Sequence, residues 1–313
     1  MSNRVGFFDK LKPPIDVPIS SRYHDILMAP RRRIENAAFY TDSSSRCRAW
    51  IRELASTARA TSRRGELCAG IVPHAGWRYS GAVALEVWKN LQSGSQPDVI
   101  IVFGAVHYPG VRRNSAYPGG SWDTPLGPIP VDGVLTDVLK EKLEQLLDID
   151  ARAHDQEHSI EVQLPFVKNF FPDSRVLPIA VPPGPPAVLL GQKIAEATQD
   201  LPVIAVGSTD LTHYGERYHF APEGSGRQAC DWMLGNDRRM IDLMLGIHAD
   251  DVLSEARGYR NACGPGAIAA TLSFARSRGI SSGELLRHTT SHEVEKGSPE
   301  DFNMAVGYAG IVF

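Results

Sequence analysis

Ala69-Gly70-Ile71-Val72-Pro73-His74-Ala75-Gly76-Trp77-Arg78-Tyr79-Ser80-Gly81 is the stretch from which the fold is read. Its small and apolar start makes a short buried strand, a loop bounded by Pro and Gly presents a histidine, and a helix follows. Val83, Val87, Trp88 and Leu91 recur at helical spacing beyond it, a pattern that strand alternation does not produce. A strand that turns through a tight loop into a helix belongs to an α/β sheet, and such sheets bind ligands at the carboxyl ends of their strands. His74 stands at such an end. Alone it would more often be structural, so the question is what else reaches the same rim.

Two other apolar runs end in the same way. Val99-Ile100-Ile101-Val102-Phe103 leads into Gly104-Ala105-Val106-His107, and Val203-Ile204-Ala205-Val206 leads into Gly207-Ser208-Thr209-Asp210-Leu211-Thr212-His213. Continuous β-branched runs mark strands buried on both faces, as in the centre of a parallel sheet. If these strands are neighbours, three imidazoles and Asp210 converge on one pocket. A further strand is expected over Val176–Val181 and a closing one over Met304–Phe313. Helices are expected from Asp42, over Val134–Leu147, after Pro165, over Leu189–Thr198, Ala229–Gly246, Ala249–Ala256 and Ala267–Ser277. Trp122–Asp132 reads as a hairpin-like excursion and Glu216–Gly226 as a mobile loop. The alternation predicts a single α/β domain with a central, mostly parallel sheet flanked by helices. It runs from residue 37 to 313. Residues 1–36 form an arm that packs on the domain or on a neighbouring subunit of a homo-oligomer.

Composition narrows the function. The 313 residues are 42% hydrophobic and 22% charged with a net charge of -3, the profile of an ordinary globular chain. Arg31-Arg32-Arg33 is the longest basic run, which argues against nucleic acid. No apolar leader and no membrane-spanning stretch is evident. Cys47, Cys68, Cys230 and Cys263 are far apart in sequence, which points to reduced thiols and a cytoplasmic protein. No Gly-x-Ser-x-Gly elbow, Walker loop or Gly-x-Gly-x-x-Gly fingerprint is present.

Cys263 joins the candidates because it directly precedes a helix opened by Gly264-Pro265-Gly266. A helix N-terminus favours thiolate over thiol, so Cys263 is a metal ligand, a nucleophile, or simply a small residue at a tight turn. His154 and His158 stand four residues apart with Asp155 and Glu157 between them. That spacing approaches the zinc-protease helix, but Asp155 occupies the place of its glutamate. Glu157 and His158 read better as acid–base or supporting groups entering the rim.

Together these segments resemble the Memo family, whose bacterial members are known as AmmeMemoRadiSam system protein B. The resemblance rests on Pro73–Gly81, Gly104–His107, Trp122–Gly127, Glu157–Phe166, Ser208–Gly215 and Cys263–Gly266, in that order, and spans roughly Ala37 to Phe313. It implies a fold similar to class III extradiol dioxygenases and a metal pocket in which His74, His107 and Cys263 are the ligands. Asp210 and His213 would line the same pocket. The dioxygenases use two histidines and a glutamate, so Cys263 is a departure from their chemistry. Two imidazoles and a thiolate suit Fe(II), the expected metal, or Cu or Zn, and are too soft for Mg or Ca. The expected activity is a dioxygenase-like oxidoreductase acting on a small, possibly aromatic substrate. His213, oriented by Asp210, would serve as base with Glu157 and His158 in support, and Trp77, Arg78 and Tyr79 would bind substrate. The resemblance also implies an alternative, a scaffold that binds a phosphopeptide or other small ligand in the same pocket. A hydrolase with Cys263 as nucleophile is a third reading.

Overall fold

A computed structural model describes residues 30–34, 39–62, 65–94 and 96–313. Most of the expected arm, residues 1–29 and 35–36, lies outside the described residues. In chain order the elements are α1 (Ser44–Ser56), β1 (Ala69–Val72), α2 (Trp77–Gly94), β2 (Val99–Gly104), β3 (Asn114–Ala116), β4 (Ser121–Trp122), β5 (Ile129–Pro130), α3 (Gly133–Lys142) and β6 (Leu147–Ile149). There follow α4 (Leu164–Phe170), β7 (Arg175–Ala180), α5 (Pro186–Ala197), β8 (Val203–Ser208), β9 (His213–Tyr214), α6 (Arg227–Leu245), α7 (Val252–Tyr259), α8 (Pro265–Ser277), β10 (Glu284–Thr290), α9 (Ser291–Val294) and β11 (Ala305–Val312).

The main sheet runs β10-β11-β1-β8-β2-β7-β3-β6, with β9 paired to β11. Its centre, β1-β8-β2-β7, is parallel throughout, while β10, β11 and β3 join antiparallel. The register explains why the central runs are continuously apolar. Ile101, Phe103, Leu177, Ile179 and Ala205 face one core with α5, α6 and α8. Ile100, Val102, Val176, Ile204 and Val206 face the other, beneath α2 and α4. Each Val, Leu, Ile or Phe side chain among them contributes about 1.5–3 kcal/mol on full burial. Among the described residues no helix is long and apolar enough to cross a membrane.

Several expectations need correcting. The helix read over Val134–Leu147 stops at Lys142, and Leu147 opens a short strand against β3. Glu284–Thr290 was not expected as a strand, yet it is the main partner of β11. It is an edge strand, interrupted by a bulge between Leu285 and Arg287, so its apolar pattern is broken. Glu216–Gly226 carries a turn of 3-10 helix at Glu216–Tyr218 and is tied down by Gly215–Phe220 backbone bonds. The hairpin expected near Trp122 is present as β4 and β5.

Candidate metal centre

β8 lies between β1 and β2, so the loops that follow these three parallel strands are spatial neighbours. His74, Asp210 and His107 leave the sheet there, and the turn before α8 brings Cys263 against the β8 loop. Two glycines permit these approaches. A Cβ on Gly104 would meet Ile160 Cγ1 at 2.5 Å, and one on Gly264 would meet the Ser208 carbonyl at 2.6 Å. The backbone of Cys263 donates to the Asp210 carbonyl at 3.1 Å, and the Asp210 N–H donates back to Cys263 Sγ at 3.2 Å.

The tautomers follow from the partners. Ser208 Oγ donates to the Ser159 carbonyl at 2.7 Å, which uses its only proton. It therefore accepts from His74 Nδ1–H at 3.0 Å, and His74 Nε2 keeps its lone pair, 3.2 Å from Cys263 Sγ. His107 Nδ1 lies 3.0 Å from Glu157 Oε1. Glu157 also accepts the backbone N–H groups of His107 and Ser159, at 3.0 and 2.9 Å. A carboxylate or hydroxyl behind an imidazole is the usual way a metal-ligating histidine is oriented. One donor atom from each of His74, His107 and Cys263 falls within a 4.8 Å cluster.

The charges of the cluster follow from burial and from these contacts. Burial works against charge on His107, but its bonds to Cys263 and Glu157 outweigh that and raise it to about 10. Burial works against the Glu157 carboxylate too, yet His107 and the two N–H donors hold it down to about 2. His74 is pushed well below the usual imidazole range by burial and by the neighbouring histidines. His158 is lowered to about 4 by burial and by His107. Burial raises the Cys263 thiol, against the pull of His107. A metal at the cluster would displace protons from His107 and Cys263.

The other expected site residues divide. His158 sits in the cluster, sandwiched between Phe39 and His107 at ring distances of 4.6 and 4.8 Å. His107, Glu157 and His158 also bring donor atoms together, but the two imidazoles are stacked face to face, so their lone pairs do not converge. Glu157 already serves His107. His213 is held by the Leu211 carbonyl, which accepts from Nδ1–H at 3.0 Å and leaves Nε2 free. Asp210 does not orient it by hydrogen bonding. Its carboxylate accepts the N–H group of His74 at 2.7 Å. Burial raises Asp210, with the charge of His213 the largest opposing influence.

Trp77 is corrected. It is 2% exposed, stacks on Phe166 at 4.0 Å and donates Nε1–H to the Val162 carbonyl, so it belongs to the core. Arg78 and Tyr79 point outward to Glu295. His154 is fully buried away from the cluster, with Nε2 on the Ser115 carbonyl, and no helix joins it to His158. Sequence reasoning missed Ser208, Ser159 and Phe39, and also Tyr218, whose ring lies edge-on to His213 at 5.1 Å. A hydroxyl at the last position of a buried strand was the available signal for Ser208.

The family model described as Memo-like protein matches residues 32–312. A MEMO1 family protein of Thermococcus onnurineus is 34% identical over 79% of this chain and 87% of its own. A MEMO1 family protein of Pyrococcus furiosus is 32% identical over 90% of this chain and 98% of its own. The solved structure of an uncharacterized Escherichia coli protein is similar at a TM-score of 0.47 and 14% identity, covering 77% of this chain and 99% of that one.

Proposed function

The chain belongs to the Memo-like family, and on that footing we propose that it is a metal-dependent oxidoreductase, dioxygenase-like, with His74, His107 and Cys263 as ligands. The observation that carries this reading is the direction of the two imidazoles. Each gives its Nδ1–H to a partner behind it, Ser208 or Glu157, so that Nε2 is left toward Cys263. Two imidazoles and a thiolate suit Fe(II), Cu or Zn, and of these the redox-active iron, the expected metal, and copper also fit an oxygen-activating role.

His74, His107 and Cys263 would hold the metal, and bound iron or copper would supply the redox chemistry that oxygen activation needs. The chain's own residues do the rest. His213 Nε2, free and beside the cluster, takes the proton of an acidic substrate hydroxyl. Glu157 holds His107 against rotation. Substrate would enter on the His107 side, since the side chains of His107 and His158 are 30% and 23% exposed while His74 is buried. A cavity of about 650 Å³ lies on that side, between the segments that carry His107 and Glu157. Its lining joins Tyr108 and Arg112 to two ion pairs, Arg113 with Asp148 and Arg152 with Asp150.

Elemental analysis of anaerobically purified protein tests the assignment. About one iron per chain is expected, lost in His74→Ala and in Cys263→Ala; wild-type metal content in both variants would overturn it. The stack of Phe39, His158 and His107, half-buried at its first two rings, favours a second reading, in which the same pocket binds an aromatic or phosphorylated peptide side chain without turnover. Saturable peptide binding that is lost in His107→Ala, with no oxygen uptake in the iron-loaded protein, would establish it instead.

A further inference from the structure

We infer that Arg31, which immediately precedes the segment matched to the family, is the positioning residue that sets both candidate metal-binding imidazoles. The reasoning begins at residues 157–159. Glu157 Oε1 holds His107 Nδ1, and the Ser159 carbonyl takes the Ser208 proton, which obliges Ser208 to accept from His74. Two residues of one short segment, Glu157 and Ser159, therefore orient two histidines that follow different strands. Arg31 is what holds this segment. Its Nε and Nη2 donate to the His154 carbonyl at 3.0 and 2.6 Å, and Nη2 donates to the Glu157 carbonyl at 3.1 Å. Nη1 pairs with Glu161 Oε2 at 2.6 Å.

The pair is buried, with side-chain exposures of 5% and 3%. Glu161 is satisfied on its other side by Tyr40 Oη–H at 2.9 Å and the Ile34 N–H at 3.0 Å. The guanidinium lies over the Trp122 ring, 4.0 Å from its centre. A planar fork can reach the carbonyls of residues 154 and 157 and the carboxylate of residue 161 at once. A lysine ammonium is a point charge that cannot span all three. Loss of the fork frees the Glu157 backbone, and with it the carboxylate on His107 and the Ser159 carbonyl behind Ser208. A fully buried charge retained at this place also serves to fix one arrangement of the loop.

The metal arm of the test rests on the function proposed above; a second arm on metal-free protein does not. Arg31→Lys keeps the charge and the pairing with Glu161, and Arg31→Met removes both. Arg33→Gln is the control, because Arg33 sits two residues away but pairs near the surface with Asp123. Removing the outer partner of a metal ligand weakens metal binding about 10- to 100-fold, and Arg31 acts one residue behind those partners, so Co(II) binding should weaken about tenfold in Arg31→Lys and remain unchanged in Arg33→Gln. In metal-free protein, two-bond ¹H–¹⁵N spectra should show His74 as a single Nδ1–H tautomer in the wild type and as a mixture in Arg31→Lys. The downfield Nδ1 proton of His107 on its carboxylate should be lost in the same variant. Where Arg31→Met does not fold, Arg31→Lys decides, with circular dichroism establishing that it is folded. A wild-type His74 tautomer and a wild-type His107 proton in folded Arg31→Lys overturn the inference, whatever cobalt does. Failure of the wild type to bind cobalt would sink the metal reading and leave the spectra to decide this one.

Discussion

Ser208→Ala is the most incisive single change at the centre. The wild-type hydroxyl is fully buried and makes two bonds, accepting from His74 Nδ1–H and donating to the Ser159 carbonyl. Alanine removes one oxygen atom and creates almost no cavity, so the cost is electrostatic rather than steric. His74 then keeps Nδ1–H unsatisfied in a buried place, at about 1–3 kcal/mol, or it moves the proton to Nε2, where Cys263 Sγ lies 3.2 Å away and can accept it. The second course is the cheaper, and it puts a proton on the atom assigned to the metal. Recovering the ligating tautomer then costs the same 1–3 kcal/mol, which is about 5- to 150-fold in metal affinity. Titration with Co(II) or Zn(II) reads the affinity, and urea unfolding of the metal-free protein reads the stability lost with two buried bonds. A folded Ser208→Ala protein that binds metal within about twofold of the wild type would refute the tautomer argument.

Other outcomes follow from the same geometry. In metal-free protein, stability should peak near pH 6.5 and fall on either side. His107 is raised to about 10, so its contribution is complete below the unfolded value of 6.5 and is lost as the pH rises through 10. His158 is lowered to about 4, so unfolded chains gain a proton below pH 6.5 that the native site refuses, and stability falls toward pH 4. Urea unfolding at constant ionic strength from pH 4 to 10 checks both limbs, and a flat profile between pH 6.5 and 9 contradicts the first. Trp77→Ala should cost about 3–5 kcal/mol of stability through loss of its stack on Phe166. Arg78→Ala, in contrast, should stay within about 0.5 kcal/mol, since its contact with Glu295 is long and exposed. Thermal melts of the two variants separate a core tryptophan from a solvent-facing arginine.

The parts of the centre that could be read from the sequence are those in which an apolar run changes abruptly into a polar loop. His74, His107 and His213 each follow a buried strand, and the placement of β8 between β1 and β2 turns that repeated punctuation into a common rim. The parallel core was legible for the same reason, because both faces of β2 and β8 are covered and their sequences are apolar without interruption. Glu284–Thr290 was not legible. It is an edge strand whose bulge breaks the alternation, and Arg287 spends its charge on buried Glu86 in a contact no local pattern announces. His154 and His158 stand four residues apart but share no helix face, which agrees with setting the zinc-protease pattern aside and reading His158 as a group at the rim. Trp77 misled through proximity: it follows His74 by three residues, and the helix that begins there turns it into the core.

Asp210 shows why roles are harder to read than positions. An aspartate three residues before a histidine suggests an orienting pair, and the charge of Asp210 does reach His213. Its hydrogen bonds go elsewhere. They hold the N–H group of His74, while its own N–H and carbonyl clasp Cys263 from both sides. Asp210 thus joins two ligand-bearing loops through three backbone or thiol contacts, and the carbonyl of Leu211 is left to set His213. A carbonyl orients an imidazole without placing a full negative charge behind it, whereas the Glu157 carboxylate stands behind His107. That difference suits the two to different tasks. The carboxylate behind His107 makes its ring the stronger donor, as a ligand requires, and the Leu211 carbonyl fixes the His213 ring by its Nδ1–H.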